Sequence, residues 1–173
     1  MAPQQRMEIV EDLERCRDEF LAAVAGLSDE NAKVRPDPAR WSVLDCVEHV
    51  AFVENRFLNT MQASGKLDVP RVDKDKESSL AASLRDRSTR FNAPEAVQPM
   101  GRFATLEQAI EQFKTNRART IQFAEERSND LYALDSAHPR FGKVNGAEFL
   151  VIVSEHVRRH AQQIRETRAA IEN

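Results

Sequence analysis

The sequence predicts an all-α fold, a four-helix bundle. Three observations carry that prediction: a composition poor in turn-forming residues, four long stretches whose apolar residues recur every three or four positions, and a capping residue ahead of three of those stretches. With 5 Gly, 7 Pro, 1 Trp and 1 Tyr in 173 residues, the chain favours helices over a turn-rich sandwich. A chain of this length fits a single domain, 1–173, around one sizeable core.

The first helix is expected from Gln4 to Gly26. Ile9, Leu13, Cys16, Phe20 and Val24 form its apolar stripe, and Gly26 with the following LSDENAKVRPDPAR supplies stop and turn signals. The second begins at WSVLDCVEHV. Ser42 is a good N-cap, Asp45 stands three residues on as a variant of the capping box, and Trp41 precedes the cap. Val43, Val47, Val50, Phe57 and Met61 mark the buried side, and the pattern fades at QASGKLDVP. The third opens at Thr105, where TLEQ has the form of a capping box, and runs through Leu106, Ile110, Phe113, Ile121 and Ala124 to about Arg127. The fourth starts at Asn145, with Glu148 completing the box. Phe149, Val153, His156, His160 and Ile164 follow at helical spacing. No stretch alternates convincingly as a strand; FLVIV, Phe149 to Val153, reads as helix because a cap precedes it.

About 40 residues lie between Ala63 and Ala104, far more than the roughly 2–8 that usually join helices in a bundle. KESSLAASLRDRSTRF within this connection has the character of one short helix. A helix of ~22 residues is ~33 Å long, so the connection can recross the bundle and leave the second and third helices parallel.

Charge and composition exclude several function classes. A net charge of -3 from 25 basic and 28 acidic residues, well mixed along the chain, lacks the clustered positive charge that nucleic acid requires. No window approaches 18 consecutive apolar residues, so no membrane span is expected. MAPQQRMEIVEDLERCRDEF has no apolar core of a signal peptide. Cys16 and Cys46 form neither a CxxC pair nor a secreted framework and read as small core thiols. A cytoplasmic protein acting on a small molecule is expected. Homodimerisation is compatible with bundle faces, although no residue demonstrates it.

The chemistry centres on SEHVRRHAQQI. His156 and His160 project from one helix face one turn apart, a spacing that lets two imidazoles share one metal ion. The letters are HVRRH, so the glutamate of the helical zinc-protease motif is missing, and an arginine in its place cannot act as a base. Such pairs also arise by packing alone. This pair, however, lies on the apolar stripe, where an imidazole without a partner carries a desolvation cost. His49, in the second helix, offers a third nitrogen, and three histidines with open positions form a catalytic type of site. His49 lies about 130° from the middle of the Val43/Val47/Val50 stripe at 100° per residue, so it is expected at the rim of the core or on the surface.

Three stretches, WSVLDCVEHV, NAPEAVQPMGRF and HPRFGKVNGAEFLVIVSEHVRRHAQQI, resemble the DinB/YfiT-like proteins, in that family's order and over most of the chain. That family includes bacillithiol S-transferases and relatives of mycothiol-dependent isomerases. Arg159 and Gln163 also match its HxxRHxxQI form. The resemblance implies a bundle in up-down-down-up order, with one divalent metal ion held by His49, His156 and His160. It implies, less uniformly, an enzyme that moves a low-molecular-weight thiol onto a small electrophile. Neutral imidazoles leave the ion's charge intact, so a thiol or a water molecule there would lose its proton more easily. Thiol transfer and hydrolysis of an ester or amide both follow from that property. A non-catalytic, stress-associated bundle that binds a ligand or dimerises is the third reading. Three imidazoles suit Zn, Ni, Fe and Cu alike.

Other residues carry weaker signals. Cys46, three residues before His49, reads as a core thiol rather than a ligand. His138 reads as a loop histidine with a minor claim to the mouth of the site. Glu48, Glu54 and Glu155 read as solvated charges or ion-pair partners, any of which could hold a ligand N–H. Arg56, Arg158 and Arg159 read as helix-surface ion pairs that could instead grip a carboxylate of a thiol cofactor. Tyr132 lies in a stretch too irregular to place.

Overall fold

Four long amphipathic stretches must bury four apolar stripes, and the chain does so as a bundle. The computed structural model describes residues 3–88 and 92–172. Helix α1 spans Pro3–Val24, α3 Val43–Gln62, α5 Leu106–Glu126 and α6 Gly146–Ile171. A five-residue helix α2, Asp29–Lys33, interrupts the first connection, with Ser28 as its cap. The predicted short helix of the long connection is α4, Lys74–Arg85; the end of that predicted stretch, 89–91, lies outside the described residues.

The caps explain where the helices begin. Ser42 Oγ accepts the Asp45 amide while Asp45 returns the bond to the Ser42 amide, and Asn145 and Glu148 do the same at α6. At α5 the reciprocity is displaced. Thr105 accepts the Gln108 amide as expected, but Gln108 Oε1 reaches back to the amide of Ala104 rather than to that of Thr105.

Cross-helix bonds give the topology. Asp12, Glu19 and Ala23 of α1 meet Arg158, Arg165 and Arg168 of α6 in ascending order, so α1 and α6 are parallel. Ala51 and Asn55 of α3 meet Asn116 and Arg119 of α5, again in ascending order. Leu13 and Phe20 of α1 meet Arg117 and Phe113 of α5 in descending order. His49 and Phe57 of α3 likewise meet His160 and Phe149 of α6. The order is therefore up-down-down-up, and the connection between α3 and α5 recrosses the bundle.

One feature goes beyond the sequence reading, which found no strand. Gly65–Lys66 (β1), Leu134–His138 (β2) and Gly142–Val144 (β3) form a three-stranded antiparallel sheet in the order β1-β2-β3 at one end of the bundle. Segments of two to five residues are too short for a period-two pattern to register. The core divides into two apolar clusters. One centres on Phe20, Val47, Phe113 and Ile164, the other on Leu58, Phe123, Phe149 and Ile152.

Candidate metal centre

His49 sits in the second turn of α3, and His156 and His160 sit on facing turns of α6. Because α3 and α6 are antiparallel, the three rings converge between the helices, with centroids 4.8 Å (His49–His160), 5.2 Å (His49–His156) and 4.6 Å (His156–His160) apart. One nitrogen from each ring lies within 4.8 Å of the others. The structure thus brings together all three histidines singled out in the sequence. It corrects the placement of His49, expected at the rim or surface and found 4% exposed. The reason lies outside its own helix. The end of the long connection, through a 3₁₀ turn at Glu95–Val97, covers that edge of α3.

The covering segment also sets the chemistry of the ring. His49 Nδ1 lies 2.7 Å from the Val97 carbonyl, which can only accept. The proton therefore belongs on Nδ1 and the lone pair on Nε2. That Nε2 faces His156 Nε2 at 3.2 Å. Two imidazole nitrogens bound to one tetrahedral ion at about 2.05 Å each stand roughly 3.3 Å apart. His160 Nδ1 is buried with no hydrogen-bond partner among the described residues, the condition that a ligand bond would relieve. The donor set thus fits a divalent transition metal.

Burial pushes the pKa of all three rings down. For His49 burial leads, the Val97 hydrogen bond works against it, and the Arg102 guanidinium adds to it. For His156 and His160 burial again leads, reinforced by the neighbouring imidazoles. Neutral imidazole is the form that binds metal. Trp41 closes one side, 4.9 Å from His49 and near-parallel to His160 at 6.2 Å. Phe57 stands 5.7 Å from His156 on the other. His156 is partly buried, whereas its two partners are buried.

Of the two readings the sequence left open for the three glutamates, solvated charge or ion-pair partner, the structure shows the second. Glu48, Glu54 and Glu155 are all buried rather than solvated. Glu48 accepts from the Met100 and Arg102 amides and from the Arg102 guanidinium. Glu54 takes a two-pronged bond from Arg117, and Glu155 one from Arg85. None of the three bonds a ligand ring. That part falls to the Val97 carbonyl, which no pattern of side chains announces; the signal available was NAPEAVQPMGRF, quoted above for the family resemblance. Arg158 is committed to Asp12, Glu19 and Glu155. Arg159 donates to the carbonyls of Leu84 and Asp86 behind α4. Arg56 is exposed and lies over the Phe52 ring. Cys46 is a fully buried thiol of the core. Tyr132 occupies a 3₁₀ turn, Leu131–Ala133, where its hydroxyl accepts from Lys74. His138 ends β2, packed against Phe57, Phe141 and Phe149, with its Nδ1 accepting the Arg140 amide. Burial and the Arg140 charge lower its pKa to about 4. A surface groove of about 490 Å³ between the end of α3 and β2 is lined by Asn59, Ser64 and Asp135 and lies apart from the three histidines.

Four long helices in up-down-down-up order, with three imidazoles converging between the second and the last, define the class of fold and the candidate site. The chain belongs to the DinB superfamily, whose model matches residues 12–164. It is similar to the uncharacterized protein YuaE of Bacillus subtilis, with 24% identity over 148 residues, covering 85% of this chain and 89% of that one. Among solved structures it is similar to YfiT of Bacillus subtilis, described as a probable metal-dependent hydrolase with an unusual four-helix bundle topology. That match has a TM-score of 0.63 at 13% identity over 96% of this chain and 87% of the other. It is also similar to TT2238, a four-helix bundle protein, with a TM-score of 0.59 at 18% identity over 93% and 98% of the two chains. Among the described residues no helix is long and apolar enough to cross a membrane.

Proposed function

We propose that this single-domain protein is a metal-dependent hydrolase of small molecules, with one divalent ion held by His49, His156 and His160. The observation that carries this reading is the convergence of three imidazole nitrogens within 4.8 Å. When bound, the ion supplies a Lewis acid that polarises a carbonyl and eases the loss of a proton from water. The chain supplies the rest. The Val97 carbonyl keeps the proton of His49 on Nδ1 and its lone pair inward. Trp41 and Phe57 exclude bulk water from two sides. His138, across Phe57, is neutral at pH 7 and carries its proton on Nε2, so it can donate a hydrogen bond at the approach.

Hydrolysis fits better than transfer of a thiol cofactor for a specific reason. Of the three arginines that would grip such a cofactor, Arg158 and Arg159 are bound to protein oxygens, which leaves only exposed Arg56. The description of YfiT supports the same choice.

The test starts from untagged protein. Bound metal is measured by plasma mass spectrometry in the wild type, His156→Ala and His160→Ala. Near-equimolar metal in the wild type and its loss in both variants is expected; unchanged stoichiometry in both ends the proposal. A panel of nitrophenyl esters and amides then reads hydrolysis, which should vanish on chelation and return with metal. Conjugation of low-molecular-weight thiols to a bimane electrophile, with no ester or amide cleaved, would instead select the transferase.

A further inference from the structure

The long connection does more than return the chain to the start of α5. Its last part, from Pro94 to Arg102, is fastened to α3 at Glu48, which stands directly before His49, and at His49 itself through the Val97 carbonyl. Glu48 is 1% exposed. Its Oε1 accepts the Met100 amide at 2.6 Å and Arg102 Nη1 at 2.6 Å, and its Oε2 accepts the Arg102 amide at 2.8 Å. Arg102 Nη1 also donates to the Gln98 carbonyl at 3.0 Å, and its guanidinium lies 4.1 Å from the Phe52 ring centre. Between Met100 and Arg102 the backbone turns through Gly101 at φ +74, a conformation that side chains disfavour. The strap is thus closed around one carboxylate. Two turns of bonding upstream, Gln98 Nε2 holds the Ala93 carbonyl and the Gln98 amide holds Glu95. Val97 sits inside this closed segment.

We infer that Glu48 is a positioning residue for His49, acting through the strap. It holds the Val97 carbonyl where it fixes the ring's rotation and keeps the proton on Nδ1. The inference rests on the metal-site reading above. Its logic is geometric. Two neighbouring residues on α3 face the same strap: one carries the carboxylate that pins it, and the other the ring whose proton it captures. A glutamine at 48 has the right shape but cannot serve. One of its two polar atoms would be an NH₂ group turned toward donors that need an acceptor.

The experiment uses metal-free protein with 15N-labelled histidine, together with Zn(II) titrations against a chromophoric chelator. In the wild type, His49 is expected as a single Nδ1–H tautomer above pH 7. In Glu48→Gln it should appear as a mixture of tautomers, and Zn(II) affinity should fall by about 10-fold, the low end for a group that orients a ligand. A role confined to fold stability would lower the melting temperature and leave the tautomer unchanged; that result overturns the inference. His49→Ala separates the two ideas. Unchanged Zn(II) affinity there removes the metal site itself. Lost affinity there, with Glu48→Gln at wild-type affinity and tautomer, removes only the positioning role. Should Glu48→Gln fail to fold, Arg102→Ala, which keeps both backbone donors, is expected to mix the tautomers to a smaller degree. A folded Arg102→Ala variant with a pure Nδ1–H ring and wild-type affinity overturns the inference.

Discussion

Arg117 and Glu54 form an ion pair at the centre of the bundle, with side chains 0% and 2% exposed. Arg117 Nε and Nη2 each bond one oxygen of Glu54, at 2.6 and 2.8 Å, while Nη1 bonds the Leu13 carbonyl at 2.9 Å and Cys16 Sγ at 2.8 Å. Replacing Glu54 by Leu removes two of these four bonds and strands a guanidinium that cannot shed its charge. Breaking one side of such a buried pair costs about 3–5 kcal/mol, a large part of a total stability of roughly 5–15 kcal/mol. At about 2–4 °C per kcal/mol for a chain of this size, the melting temperature should fall by roughly 6–20 °C. Arg117→Met alone strands the carboxylate and should cost a similar amount. The double variant, with apolar groups on both sides, should recover most of the loss and can equal or exceed the wild type. Urea unfolding of all four proteins forms a double-mutant cycle. A Glu54→Leu cost below about 1 kcal/mol, or a double variant as unstable as the sum of the singles, would refute the argument that desolvation dominates this site.

Three further outcomes are expected. A Cβ at Gly146 would meet Leu134 Cδ1 at 2.8 Å and the Leu131 carbonyl at 2.9 Å, so Gly146→Ala should cost about 1–3 kcal/mol by overpacking, read by the same urea titration. Cys16 and Cys46 are buried thiols whose pKa burial pushes up; neither should react with a thiol reagent until the protein unfolds, and fast labelling of native protein would contradict this burial. The depressed folded pKa values of His156 and His160, against an ordinary 6.5, mean that the unfolded chain binds more protons below pH 6.5. Metal-free protein should therefore lose stability as pH falls from 6.5 toward 5, above the range where carboxylates titrate, and His138 should add to the loss as pH falls toward its folded value of about 4. Denaturation midpoints that stay level across this interval would contradict that sign.

The parts of the structure legible in the sequence are those set within a single helix. Ser42 and Asn145 announce their helices because their partners lie three residues away. His156 and His160 announce themselves because they share the phase of Phe149 and Ile164. What the sequence hides is set between segments. The burial of Glu48, Glu54 and Glu155 was hidden because Arg102, Arg117 and Arg85, which pair with them, lie 54, 63 and 70 residues away. His49 looked peripheral because a helical wheel shows a helix and not the strap laid across it. The small sheet escaped notice because its two- to five-residue strands are held by pairing rather than by pattern.

The up-down-down-up order also governs how the chain can find its fold. In a simple up-and-down bundle each helix docks on the next through a short turn, and local hairpins form early. Here α1 packs on α5 and α6, and α3 packs on α5 and α6, while the successive pairs α1–α3 and α5–α6 lie at opposite corners. The one successive pair of long helices in contact, α3 and α5, is joined through the recrossing connection. Every major helix contact therefore closes a long loop of chain before it returns any burial. The bundle has the helical content of a fast folder and the contact order of a slower one.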